Sequence, residues 1–75
     1  MPVKLEVLLK KYDGIAHVIK VDTIKRIDET IVEVYLDVEG YDPKLMDVLL
    51  DIEYAIILKS SEFLRFHYIT DSEHL

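Results

Sequence analysis

Apolar and polar side chains alternate strongly in the first half of the chain, and this pattern predicts three successive strands. The expected strands cover residues 3–11, 15–27 and 31–39. In the first, apolar side chains occupy every second position from Val3 to Leu9, the period of a strand with one buried face. The third has the clearest alternation, with one apolar face formed by Val32, Val34, Leu36 and Val38. We therefore expect an antiparallel meander of three strands.

The first turn of this meander is expected at residues 12–14. Gly14 can adopt the left-handed conformation that closes a three-residue hairpin loop. This loop sets Leu8 opposite Val18 on the outer face and leaves His17 on the inner face. Apolar groups then match across the two strands, which a two-residue loop would not achieve.

The second turn of the meander allows two registers. A four-residue loop at residues 28–31 pairs Val21 with Val38 across the two strands. A two-residue loop within the same segment pairs Lys20 with Asp37 instead, but it lacks the glycine that tight turns prefer. We expect the longer loop.

A helix is expected after the meander. Asp42 is a good N-cap and Pro43 suits the first helical position, so the pattern predicts a helix over about residues 43–59. Residues 52–59 also alternate as a strand would, and on a helix the carboxylate of Glu53 would lie on the apolar face. A shorter helix followed by an extra strand therefore remains an alternative.

The last segment completes a small α+β domain. Residues 62–70 are rich in aromatic and branched side chains and are predicted as a strand, followed by a polar tail at 71–75. The element order is βββαβ, or βββαββ if the helix is short, with the helix packed on one face of the sheet. A chain of 75 residues is one domain at most.

Composition narrows the class of protein. There is no cysteine, so neither a disulfide framework nor a thiolate metal site is expected. The apolar runs are too short for a membrane span, and the N-terminus does not read as a signal peptide, so we expect no membrane partner and a cytoplasmic location. Asparagine and glutamine are also absent while charged residues are abundant, a pattern typical of proteins from thermophiles.

Charge is distributed unevenly along the chain. Residues 1–27 carry six basic and three acidic side chains, whereas residues 28–75 carry three basic and twelve acidic ones. The net charge is −6. The net charge favours solubility, whereas the asymmetry allows the basic and acidic halves of neighbouring copies to attract each other.

Candidate chemistry is sparse, and no catalytic residue, cofactor or metal site is predicted. The sequence has no glycine-rich phosphate loop and no serine or threonine in a recognisable nucleophile motif. The one alternative is a cluster of His17, Glu53 and His67, which could bind a metal ion or move protons if the fold brought them together. An enzyme is the least supported class.

A nucleic-acid-binding protein is a second alternative. The first hairpin would gather six basic side chains around one aromatic ring, namely Lys4, Lys10, Lys11, Lys20, Lys25 and Arg26 with Tyr12. Such a surface could contact phosphates and stack a base. The sequence pI of about 4.8 counts against it, because nucleic-acid-binding domains are usually basic.

Association with another protein is the favoured function. The predicted outer face of the meander and the outer side of the helix both carry apolar side chains, at Leu8, Val18, Ile24, Tyr35, Tyr54 and Leu58. A monomer rarely exposes so much contiguous apolar surface, and a small core is commonly supplemented by oligomerisation. We therefore expect a homo-oligomeric structural or protein–protein interaction module without catalytic activity, whose partner is another copy or a different protein.

Overall fold

The computed structural model describes residues 4–40 and 42–71. In chain order the elements are helix α1 (Leu5–Leu9), a 3₁₀ turn (Lys10–Tyr12), strands β1 (Val18–Lys25) and β2 (Thr30–Leu36), helix α2 (Pro43–Lys59) and strand β3 (Leu64–Ile69). The protein is thus α+β, as predicted. Val3 and the predicted tail beyond Asp71 lie outside the described residues.

The three strands form one mixed sheet in the order β1-β2-β3. β1 pairs antiparallel with β2, whereas β2 pairs parallel with β3. The predicted all-antiparallel arrangement is therefore wrong. The cause is α2, whose 17 residues carry the chain back along the sheet for about 25 Å, so that β3 starts beside the start of β2.

The segment predicted as the first strand, residues 3–11, is helical from Leu5 onward. Leu5, Leu8 and Tyr12 are buried at a spacing of three and four residues, while Val7 is 52 % exposed. A strand would have buried Leu5 and Val7 together. Its apolar side chains, at Leu5, Val7, Leu8 and Leu9, fit both a strand and a helix period, and packing against α2 selects the helix.

The predicted first hairpin is consequently absent. Gly14 does adopt a left-handed conformation, with φ of 77°, but it follows the 3₁₀ turn instead of joining two strands. Leu8 and Val18 are therefore not a cross-strand pair. β1 begins at Val18 and not at residue 15, after His17, which also has a positive φ of 72°.

The second hairpin forms, but with a different register from both predicted ones. Val21 lies opposite Val34, and the N–H of Arg26 donates to the carbonyl of Glu29 at 2.8 Å, which leaves a loop of Ile27-Asp28. Relative to the preferred register, the pairing is displaced by four residues. An even displacement keeps each side chain on its face, so the predicted apolar face of the third strand is still the buried one.

Helix α2 confirms the prediction for residues 43–59, and the βββαββ alternative is wrong. The Asp42 carboxylate caps the helix by accepting from the N–H groups of Lys44, at 3.1 Å, and Leu45, at 3.3 Å. The core is a single cluster between the helices and one face of the sheet: Leu5, Leu8, Tyr12, Val32, Val34, Leu36, Leu45, Leu49 and Ile56. From β3, the side chains of Leu64, Phe66 and Tyr68 pack against this cluster.

Candidate functional site

The outer side of α2 carries a row of exposed apolar side chains, which we call the α2 stripe. It consists of Leu50, Tyr54, Ile57 and Leu58, which are 49 %, 65 %, 45 % and 66 % exposed. Their spacing of four, three and one residues places them on one face of a helix. The opposite face, including Leu49 and Ile56, is fully buried. Tyr54 and Leu58 are thus exposed, as predicted.

The other predicted interface residues have different surroundings. Ile24 and Tyr35 lie on the uncovered face of the sheet, where Ile24 is exposed and Tyr35 is half-buried. The ammonium of Lys20 lies 4.5 Å from the centre of the Tyr35 ring, so charge interrupts this apolar surface. Leu8 is only 3 % exposed within the core, and Val18 packs against the core. The predicted outer stripe containing these two residues does not form, because α1 is a helix.

A groove of about 680 Å³ lies between α1 and β1, and we call it the α1–β1 groove. Apolar side chains such as Leu9, Val18 and Val21 line it together with charged residues of both signs. The charged members are Glu6, Lys10, Asp13, Lys20, Asp22 and Lys25. Because three acids balance three bases, the groove does not offer the uniformly positive surface that binds phosphates.

The basic residues proposed for nucleic-acid binding are not gathered on one hairpin. Lys4, Lys10 and Lys11 belong to the N-terminal helical segment; Lys20, Lys25 and Arg26 belong to β1 and the loop after it. Tyr12 is 1 % exposed and cannot stack on a base. Lys20 forms an ion pair with Asp22 at 3.4 Å. The hairpin on which this prediction depended does not form.

The three residues of the possible metal or proton-transfer site lie apart. His17 Nδ1 is 2.7 Å from Asp37 Oδ1, an exposed pair at the start of β1. Glu53 accepts a hydrogen bond from Tyr68, which faces the core, whereas the adjacent His67 lies on the other face of the sheet. Among the described residues, no group of three or more acidic, histidine or cysteine side chains could hold a metal ion.

A hydrogen-bonded tyrosine pair, the buried Tyr12 and the partly buried Tyr68, connects three elements of the fold, and the sequence did not indicate it. The hydroxyl of Tyr68 lies 3.1 Å from that of Tyr12, 3.1 Å from a carboxylate oxygen of Glu53 and 3.3 Å from the carbonyl of Leu49. Tyr68 has one hydroxyl proton, which the carboxylate accepts, so Tyr12 donates to Tyr68. The only sequence signal was the position of Tyr12 in the helical spacing of Leu5 and Leu8.

The environment of this pair holds both phenols neutral. Burial raises the pKa of Tyr12 to about 12, and the nearby carboxylate of Glu53 adds to the effect. Burial raises the pKa of Tyr68 further, and the Glu53 carboxylate that accepts its proton adds to the effect. A phenol with a raised pKa is a poor nucleophile or general base near neutral pH. The pair therefore fastens the 3₁₀ turn, α2 and β3 together.

Comparison with known proteins does not assign this chain to a family. No family model, curated protein or solved structure matches this chain. Within residues 4–40 and 42–71, neither helix has the length and apolarity needed to cross a bilayer. The surfaces described above are therefore the basis for a functional proposal.

Proposed function

We propose that this protein is a homo-oligomeric protein–protein interaction module without catalytic activity, and that the α2 stripe is its association surface. The observation that carries this proposal is the exposure of four large apolar side chains in one row on a helix whose other side is already buried. Contiguous apolar surface of this kind is typical of interfaces and uncommon on monomers.

The geometry of the stripe suits pairing of two α2 helices. Leu50, Tyr54 and Leu58 recur every four residues, the row that interdigitates when helices pack ridge into groove. From Leu50 to Leu58 the stripe runs about 12 Å along the axis, a little over two helical turns. A two-fold axis would bring the same row of both copies into contact, so the surface needs no second binding site.

Charged residues near the stripe favour a second copy in antiparallel orientation. Asp47 lies exposed in the first half of the helix, Asp51 lies exposed at its midpoint, and Lys59 lies exposed at its end. Antiparallel helices centred on Tyr54 would place Lys59 of one copy at the level between Asp47 and Asp51 of the other. Such flanking charge pairs select orientation more than they add affinity.

Substitution of the stripe by charge tests this function. The variant Tyr54→Lys/Leu58→Lys places like charges across the proposed two-fold axis and leaves the buried side of α2 unchanged. We expect light scattering to give wild-type protein a mass that is a multiple of 8.8 kDa, and the variant a smaller mass with the same circular dichroism.

The matched control is Ile27→Lys/Phe63→Lys, which introduces the same charge at two exposed apolar residues outside the stripe. This control should keep the wild-type mass. A monomeric wild-type protein, or a stripe variant with unchanged mass, would refute the proposed surface.

A further inference from the structure

We propose that the open edge of β1 is a second docking site, which pairs antiparallel with β1 of another copy of this chain, centred on Val21. This edge shares no residue with the α2 stripe, so the inference goes beyond the function proposed above. It rests on the hydrogen-bonding phase of β1, the space beside it and the order of charges along it.

The phase of the β1–β2 ladder decides which backbone groups face the open edge. Arg26 lies opposite Glu29 and donates directly to its carbonyl, so this pair belongs to the hydrogen-bonded set. Every second residue of β1 counted back from Arg26 directs its backbone N–H and C=O groups toward β2. The residues between them direct these backbone groups toward the open edge. The N–H and C=O groups of Val21 and Thr23 therefore face the open edge. In the described part of the chain, no backbone hydrogen bond reaches that edge.

The α1–β1 groove leaves room for an added strand. It runs beside β1 from Val18 to Lys25 and is lined on its other wall by α1. The start of α1 lies near Lys25 and the 3₁₀ turn lies near Val18, so α1 runs antiparallel to β1. A strand added to an exposed sheet edge gains main-chain hydrogen bonds, while a neighbouring groove receives its side chains.

Charge order on β1 distinguishes among the possible self-pairings. In four antiparallel registers, five or more residues of the two β1 strands overlap and their open-edge N–H and C=O groups can bond to each other. These registers are centred on Lys20, Val21, Asp22 or Thr23. A register centred on Lys20 places Lys20 opposite Lys20 of the second copy, and one centred on Asp22 places Asp22 opposite Asp22. Both place like charges together. Centring on Thr23 sets Lys20 opposite Arg26, again like charges.

Only the Val21-centred register is complementary. It sets Lys20 opposite Asp22 of the second copy, and by symmetry Asp22 opposite Lys20, while Val21 meets Val21 on the core side. Two ion pairs thus flank an apolar pair on the two-fold axis. Lysine on an edge strand normally discourages pairing with other chains. In this chain, Asp22 of one copy would neutralise Lys20 of the other, and it would do so only in the Val21-centred register.

The resulting dimer would have one continuous sheet of six strands. Because the axis passes through the strand pair, both copies would present their helices on the same side of this sheet. The open edge of β1, which is exposed along most of its length, would be covered in both copies. Mutual coverage of edges is one way in which proteins avoid uncontrolled strand pairing.

Disulfide trapping tests the register directly, because the chain contains no cysteine. In the proposed pairing the two Val21 Cα atoms are about 5.5 Å apart, within the range that a disulfide bridges. The variant Val21→Cys should therefore give a covalent dimer of twice 8.8 kDa under mild oxidation by oxidised glutathione.

The matched control is Thr23→Cys, on the same edge and the same side of the sheet. Its two Cα atoms would be separated by about four residues along the strand, roughly 13 Å, which is beyond disulfide reach. We expect at least fivefold more covalent dimer for Val21→Cys than for Thr23→Cys at equal dilute concentration. Equal yields, or no dimer from Val21→Cys, would overturn the inference.

Charge reversal supplies a second readout that does not depend on how cysteine packs. In the Val21→Cys background, Lys20→Asp should lower the dimer yield, and Lys20→Asp/Asp22→Lys should restore it because the pairs are exchanged. A yield that does not respond to either change would also overturn the register. Circular dichroism checks that each variant is folded.

The same trapping in the Tyr54→Lys/Leu58→Lys background separates this inference from the proposed function. Retained cross-linking there shows that the β1 edge acts without the α2 stripe. Loss of cross-linking there would refute an independent β1 site and leave the stripe proposal standing.

Discussion

The strongest test of the N-terminal fold compares two adjacent residues, Leu8 and Val7. In the structure Leu8 is buried in the core and Val7 is half-exposed on the outer side of α1. A strand through the same residues would reverse these positions, because alternate side chains face opposite sides. If the segment is a helix, Leu8→Ala should reduce stability strongly and Val7→Ala should not. If it were a strand, the two effects would be exchanged.

The magnitude follows from burial. Truncating a buried leucine to alanine costs about 2–5 kcal/mol of the free energy of unfolding. At about 4–8 °C per kcal/mol for a domain of this size, Leu8→Ala should lower Tm by roughly 8–40 °C. Val7→Ala removes an exposed β-branched side chain from a helix, and alanine has the better helix propensity by about half a kcal/mol. It should leave Tm unchanged or slightly raised.

Thermal unfolding followed by circular dichroism measures both variants at one protein concentration, since association also raises Tm. The helical assignment predicts a large loss for Leu8→Ala and almost none for Val7→Ala. A large loss for Val7→Ala with little effect of Leu8→Ala would refute it and restore the strand.

Two further predictions concern the cap of α2 and the buried Tyr12. Asp42→Ala removes the carboxylate that caps α2 and should cost about 1 kcal/mol in urea unfolding, whereas Asp47→Ala, at an exposed position inside the helix, should change stability by less than about 0.5 kcal/mol; equal costs would contradict the capping role. The pKa of Tyr12 is raised from 10 to about 12 in the folded protein, so above pH 10 the unfolded chain loses this proton first and stability falls as pH rises toward 12. The slope from Tyr12 is at most about 1.4 kcal/mol per pH unit, and Tyr12→Phe should reduce the measured slope; an unchanged slope would refute the shift.

Local sequence signals predicted the C-terminal half of the fold well. Asp42 and Pro43 mark the start of α2 without help from the rest of the chain, and the alternation through Val32 and Val34 identifies the buried face of β2. The parallel pairing of β3 was missed, although a strand, a long helix and a strand in succession commonly form a parallel crossover.

The N-terminal half depends on contacts that local pattern does not specify. Leu5, Val7, Leu8 and Leu9 satisfy both a strand and a helix period, so packing decides between them. The helix allows Tyr12 to reach Tyr68, 56 residues later, and that contact has no signature in the sequence. Because the N-terminal segment is a helix, the predicted surface positions of Leu8 and Val18 are wrong. Tyr54 and Leu58 are exposed as expected because α2 was assigned correctly.

The most direct test of the proposed function is the solution mass of the wild-type protein, measured by light scattering after size exclusion over a wide range of concentration. Self-association through the α2 stripe predicts a defined multiple of 8.8 kDa at high concentration, and a lower mass for Tyr54→Lys/Leu58→Lys. A mass of 8.8 kDa for the wild-type protein at every concentration would contradict it.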